Sequence, residues 1–165
     1  MKISVHLDHL FTSPGHNYFG HHGRPSGNHA MVAQDFLELV SGRGIVGDRF
    51  FDWKADYKGQ ITFIDSAVID EVRKFVGNPE LPPTAFRRNV VIRGVDLNSL
   101  VASSFMLGGI HFDGAGECSP CYWMDEACGL TGVEELMKGR GGLRCRIRSD
   151  GQLRPCEMDL VVSPS

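Results

Sequence analysis

No stretch of this 165-residue chain stays apolar for the ~20 residues that a membrane-spanning helix needs, so a membrane is not an expected partner. The first residues, Met1-Lys2-Ile3-Ser4-Val5-His6-Leu7-Asp8, put charges where a secretory leader needs its apolar core, which predicts a cytoplasmic protein. A basic excess is also missing. The formal net charge is −3, and non-specific nucleic-acid binding needs a surplus of Lys and Arg, so the expected partners are small molecules rather than nucleic acid. Lysine is scarce, five against twelve arginines, and arginine is the residue whose planar fork meets phosphate or carboxylate oxygens two at a time. No internal repeat and no linker divides the chain, which predicts a single domain over residues 1–165. Five cysteines, an odd number in a chain without a leader, read as reduced thiols rather than a disulfide framework.

Glycine is abundant, with 20 residues clustered beside Pro, Asn and Asp, as expected where short strands alternate with tight turns. The predicted class is therefore mainly β. Apolar residues at Ile3, Val5 and Leu7 have the period of a half-buried strand over residues 2–10. A Gly- and Pro-rich loop from Ser13 to Pro25 follows, too irregular for regular structure yet carrying three histidines and two aromatics. Asp35 to Val40 and Ile61 to Ile64 read as strands. Ser66 is expected to cap a helix with Val68, Ile69, Val72, Phe75 and Val76 on one face and Gly77 at its end. Asn89 to Arg93, Phe105 to Leu107 and Ile110 to Phe112 read as strands, and Asp96 to Val101 as a short helical element. Thr131-Gly132-Val133-Glu134 matches a capping box for a helix over about Gly132 to Lys138. Leu143 to Arg148 and Glu157 to Val162 suggest a closing hairpin, with Pro155 confining part of it to an edge.

The segment Glu117-Cys118-Ser119-Pro120-Cys121-Tyr122-Trp123 carries the strongest chemical signal. Ser119 as helix cap and Pro120 as first helical residue would put Cys121 in the first turn, where the dipole and free N–H groups favour thiolate. Three readings of these cysteines compete. A redox Cys-x-x-Cys pair calls for a thioredoxin-like βαβ setting that the glycine pattern does not suggest. A structural zinc site could recruit Cys118, Cys121, Cys128 and Cys145, although the second pair lacks knuckle spacing. Burial as inert core thiols suits Cys128, Cys145 and Cys156.

Three segments in order, Gly42-Arg43-Gly44-Ile45-Val46-Gly47-Asp48-Arg49, then Phe86-Arg87-Arg88-Asn89-Val90-Val91-Ile92-Arg93-Gly94-Val95-Asp96-Leu97-Asn98, then Cys118-Ser119-Pro120-Cys121, resemble the MOSC domain over roughly residues 35–162. That domain forms the C-terminal part of molybdenum cofactor sulfurases and occurs in hydroxylaminopurine-detoxifying bacterial proteins and the mitochondrial amidoxime-reducing component. The resemblance implies a pyruvate-kinase-barrel-like β-barrel with a few short helices. It implies that Cys121 is the molybdenum ligand of a bound molybdenum cofactor (molybdopterin) or, in a sulfur carrier, the holder of a persulfide.

Arg87, Arg88 and Asn89 supply forks and an amide for an anionic group such as the pterin phosphate, with one arginine expected to reach the pocket if the segment is a strand. Asp48 and Arg49 are secondary cofactor-binding candidates, for which a buried ion pair or a turn-stabilising contact is the competing reading. The loop with His16, Asn17, Tyr18, His21 and His22 could cover the pocket, with a histidine available for proton transfer. Adjacent histidines alone are a poor metal motif.

The resemblance implies a molybdenum-dependent oxidoreductase that reduces N-hydroxylated compounds with electrons from a donor protein. The alternative is a sulfur-carrier or cofactor-delivery module served by a cysteine desulfurase, and a third reading is a non-catalytic binding scaffold. A complete sulfurase is not expected, since only about 34 residues precede the matched region and a pyridoxal-phosphate domain is much larger. Pyridoxal phosphate, associated with the family at large, would then belong to a partner.

Overall fold

A computed structural model describes residues 1–164. Its strands and helices in chain order are β1 (Lys2–Thr12), β2 (Val32–Ala33), β3 (Leu37–Val40), β4 (Gly44–Ile45), β5 (Ile61–Asp65), α1 (Ser66–Val76), β6 (Val90–Arg93), β7 (Ser104–Leu107), β8 (Ile110–Glu117), α2 (Trp123–Cys128), α3 (Val133–Met137), β9 (Leu143–Ile147), β10 (Gly151–Leu153) and β11 (Glu157–Val162).

Seven of these strands close a barrel in the order β11-β7-β8-β9-β5-β6-β1, with β1 pairing back onto β11 from Lys2↔Val161 to His6↔Glu157. Closure leaves no free sheet edge around the ring. All neighbours are antiparallel except β5 and β6, which run parallel because α1 carries the chain back between them. A small second sheet, β10-β3-β4, lies beside the ring.

Alternation along the strands fills the barrel interior. Leu7 on β1, Ile61 and Phe63 on β5, Phe105 on β7, Phe112 on β8 and Leu143, Cys145 and Ile147 on β9 all belong to one buried cluster. The interior is therefore packed with side chains. A second cluster lies outside the ring, where Ile64, Val91 and Phe86 meet Val68, Ile69 and Val72 of α1 and Val133 and Met137 of α3.

Several local expectations are corrected. Asp65, not Ser66, caps α1, its carboxylate accepting from the Ala67 N–H at 2.9 Å, while Ser66 is the first helical residue. Phe75 is exposed, its ring edge beside Gly132 at the start of α3, but Gly77 ends the helix as expected in the left-handed conformation (φ 69°). The capping box of α3 does not form. Gly132 stands at the cap, and the Glu134 N–H donates instead to Asp125 across the α2–α3 turn. Leu143–Ile147 and Glu157–Val162 do not pair as a hairpin: β9 sits between β8 and β5, whereas β11 closes the ring between β7 and β1. The intervening β10 turns aside to pair with β3, which separates the two strands.

Candidate functional site

Side chains that alternate outward from β5 and β9 form the floor of a cavity of about 340 Å³ on the barrel's flank. Thr62 and Arg144 are directly opposed across the β5–β9 pairing and both line it, since their neighbours Ile61, Phe63, Leu143 and Cys145 fill the interior. The segment after β8 supplies one wall with Cys118, Ser119, Pro120 and Cys121, and α2 adds Trp123 and Met124. The loop between β1 and β2 supplies the roof with His16, Asn17, Tyr18, Phe19 and His22.

The roof is held at both ends. Arg87 donates to the carbonyls of His29 (2.6 Å) and Gly15 (3.1 Å) and to Ser13 Oγ (3.0 Å), which anchors the loop's base. Asn17 braces the same base by bonding both the N–H and the carbonyl of His29. At the tip, Tyr18 stacks on Trp123 at 4.9 Å, and His22 Nδ1 lies 2.8 Å from the Tyr122 hydroxyl. His21 instead faces the Pro25 carbonyl and does not line the cavity.

The two adjacent arginines both reach the cavity, which corrects the expectation that strand alternation would admit one of them. The segment is not yet a strand there: Arg87 closes a 3₁₀ turn over Pro83–Phe86 with a left-handed backbone (φ 54°), and β6 begins at Val90. Arg88 fans onto the carbonyls of Phe86 (2.7 Å), Gly141 (3.0 Å) and Cys118 (3.3 Å), and so holds the cysteine segment in place. Asn89 does not line the cavity. Its amide is enclosed in the fold, accepting from the Thr62 N–H (3.0 Å) and hydroxyl and donating to the Phe11 carbonyl (3.1 Å).

Asp48 likewise sits behind the wall, where it accepts from the N–H groups of Ser13 and Phe50 and pairs with Arg49 at 3.2 Å. The buried ion pair weighed against ligand contact is thus the arrangement found for Asp48, while Arg49 itself lines the cavity and donates to the Arg87 carbonyl.

Cys121 and Cys118 are free, half-buried thiols on the same wall. The expected capped helix is absent: α2 begins only at Trp123, and no side chain caps it. Cys121 lies two residues before the helix, its carbonyl accepting from the Met124 N–H at 2.9 Å. The four-cysteine zinc reading fails on placement, because Cys145 fills the barrel interior and Cys128 the outer cluster. Burial pushes the Cys128 thiol up to about 11 and the Cys145 thiol well above the ordinary range. Among the described residues no three His, Cys, Asp or Glu side chains converge on a metal-sized site.

The cavity is strongly cationic. Arg49, Arg87, Arg88 and Arg144 line it, while Asp48 is the one carboxylate among the described buried residues. Burial, and then the Arg49 charge, lower Arg87 to about 10, and burial with Arg88 nearby lowers Arg49 in spite of Asp48. Burial and Arg49 also lower His16, which keeps its ring neutral near pH 7. Both His16 nitrogens, the Trp123 indole N–H and the Arg144 Nε are buried without a hydrogen-bond partner.

Arg144, Tyr57 and Thr62 line the cavity although no local motif marks them. The one available signal was the alternation Leu143-Arg144-Cys145-Arg146-Ile147, which places Arg144 on the outer face of its strand.

The class that fold and site define is a small closed β-barrel with a packed interior and a cationic, aromatic, thiol-bearing cavity on its flank. The chain belongs to the MOSC domain family, whose model matches residues 15–157, a span that takes in the roof loop as well as the three motifs. The crystal structure of the YuaD protein from Bacillus subtilis is similar over 100% of this chain and 99% of that chain, with a TM-score of 0.79 at 19% identity. YiiM from Escherichia coli is similar over 99% of this chain and 71% of that chain, with a TM-score of 0.67 at 17% identity. YiiM from Geobacillus stearothermophilus is similar over 97% and 75%, with a TM-score of 0.69 at 11% identity. No curated protein matches the chain. Among the described residues no helix is long and apolar enough to cross a membrane.

Proposed function

We propose that this MOSC protein binds the molybdenum cofactor in the flank cavity, with Cys121 as the protein ligand to molybdenum, and reduces N-hydroxylated compounds with electrons from a donor protein. The observation that carries this reading is the convergence of free thiols, four guanidiniums and unpartnered buried nitrogens on one cavity. Its volume of about 340 Å³ falls within the ~300–1,000 Å³ of ordinary small-molecule sites.

The residues fit such a group. Thiolate sulfur is a soft ligand for a transition metal, and guanidiniums match a phosphate. A buried polar atom without a partner costs about 1–3 kcal/mol, so the nitrogens of His16, Trp123 and Arg144 favour a guest rich in acceptors. When bound, the cofactor supplies two-electron oxygen-transfer chemistry. Arg88 keeps the cysteine segment in register through the Cys118 carbonyl, and Arg87 keeps the roof over the cavity. Neutral His16 is able to take or give a proton at a ring nitrogen, and the Tyr18–Trp123 stack excludes water.

Protein made in a cofactor-competent host is expected to contain molybdenum and to reduce hydroxylaminopurine when given an electron donor. Absence of both would overturn the reading. One observation favours a sulfur carrier instead: a second thiol, Cys118, lines the same cavity. In that case incubation with a cysteine desulfurase adds one sulfur to Cys121, as read by intact mass, and the protein turns over no substrate of its own.

A further inference from the structure

We propose that Arg144, with the Tyr57 hydroxyl beside it, is the residue that reads an oxyanion in the cavity, while the three other arginines hold the wall and roof around it. The proposal rests on the reading of the cavity as a ligand site and names the anion end of that ligand, a phosphate monoester or a group like it.

The four guanidiniums differ in what already holds them. Arg87 and Arg88 each donate to three groups of their own chain, and Arg49 donates to Asp48 and to the Arg87 carbonyl. Arg144 bonds to no carbonyl and pairs with no carboxylate among the described residues; its partner is the Tyr57 hydroxyl, and its Nε is buried without one. The next arginines, one on β9 and one just past its end, sharpen the contrast. Arg146 and Arg148 face outward from their end of the chain toward Asp56, and Arg148 also toward Asp113, so each has an acidic partner. Arg144 has instead a cavity, lined also by Tyr57, Arg49 and Cys118. Glu117, at the end of the neighbouring β8, lies outside the lining and accepts from the Gly141 N–H at 3.4 Å.

A planar guanidinium with free donors, next to a hydroxyl and a second buried guanidinium, meets a tetrahedral oxyanion by charge-assisted hydrogen bonds. A guanidinium bonded only to a tyrosine hydroxyl also has little to lose in the fold when it is replaced. Arg144→Met therefore separates binding from stability: affinity falls while the melting temperature holds or rises. Arg88→Met is expected to do the reverse to the fold, because it strips donors from three carbonyls.

The test is calorimetric titration of the full chain with inorganic phosphate, alongside thermal unfolding, for the wild type, Arg144→Met, Arg144→Lys and Arg88→Met. Saturable binding with Kd on the order of 1 mM or tighter is expected for the wild type. Arg144→Met should weaken it at least tenfold with no loss of melting temperature, and Arg144→Lys should recover part of the affinity as a point charge.

Wild-type protein that does not bind phosphate, or Arg144→Met that binds as the wild type does or unfolds as early as Arg88→Met, would overturn the assignment. Molybdenum content separates this from the cofactor reading. Phosphate binding lost with Arg144 in a protein that never acquires molybdenum keeps the oxyanion site and removes the cofactor. Molybdenum in a protein whose phosphate affinity ignores Arg144 does the opposite.

Discussion

Arg88→Met tests how the cysteine segment is held. Methionine nearly matches the length of the arginine stem and keeps much of its packing, but it removes every donor. The Phe86 and Gly141 carbonyls, bonded at 2.7 and 3.0 Å, lose their partners, and the longer 3.3 Å contact to the Cys118 carbonyl goes as well. Two buried carbonyls left unpaired cost about 1–3 kcal/mol each, or about 2–6 kcal/mol together. Relief from burying an uncompensated cation offsets part of this, so the net loss should be about 2–4 kcal/mol. That is a large share of the ~5–15 kcal/mol that holds a typical domain. Urea denaturation measures it directly. The rate at which a disulfide reagent labels Cys118 and Cys121 in the native protein should rise in parallel, because the wall that carries both thiols loses its tether. A loss below about 0.5 kcal/mol, the usual scatter of surface substitutions, with unchanged labelling, would refute the account of Arg88 as the anchor.

Three further outcomes are expected. At pH 8 a thiol reagent should label Cys156, Cys118 and Cys121 in the folded protein, while Cys128 and Cys145, buried and raised in pKa, should react only after unfolding, as counted by mass spectrometry. His16 takes up its proton below the usual 6.5 when folded, so the unfolded chain binds protons first as the pH falls. Its stabilising contribution is complete above pH 6.5 and is lost as the pH drops through the folded value; His16→Gln should flatten that part of the urea-stability profile, and an unchanged slope would contradict it. Asn89→Ala should cost about 2–4 kcal/mol in urea denaturation by stripping the Thr62 and Phe11 backbone groups of their partner, and a near-neutral result would contradict its role as a buried bridge of the fold.

Much of the barrel was legible because its strands obey a period of two. Val5 and Leu7 on β1, and Ile61 and Phe63 on β5, point inward as their alternation predicts. What periodicity does not carry is pairing. The strands Leu143–Ile147 and Glu157–Val162 are near in sequence, yet closing the ring sends each to different neighbours.

The cavity lining was legible where motifs cluster, at Cys121, Arg49 and the arginine pair, and illegible where it depends on long-range apposition. Arg144 and Thr62 meet only because β9 pairs with β5, and Trp123 reaches the cavity because the roof loop folds back onto it. The cysteine segment misled for a local reason. Ser119-Pro120 has the composition of a helix start, but the chain runs on to Trp123 before the helix begins, so Cys121 has no capped turn around it.

The central claim is that Cys121 binds molybdenum through sulfur. X-ray absorption at the molybdenum edge, on cofactor-loaded wild type beside Cys121→Ser, tests it most directly. The account predicts that the serine variant loses one sulfur neighbour of the metal while its fold, read by thermal unfolding, is retained. An identical sulfur count in both proteins, or a wild type prepared in a cofactor-competent host without molybdenum, would contradict it.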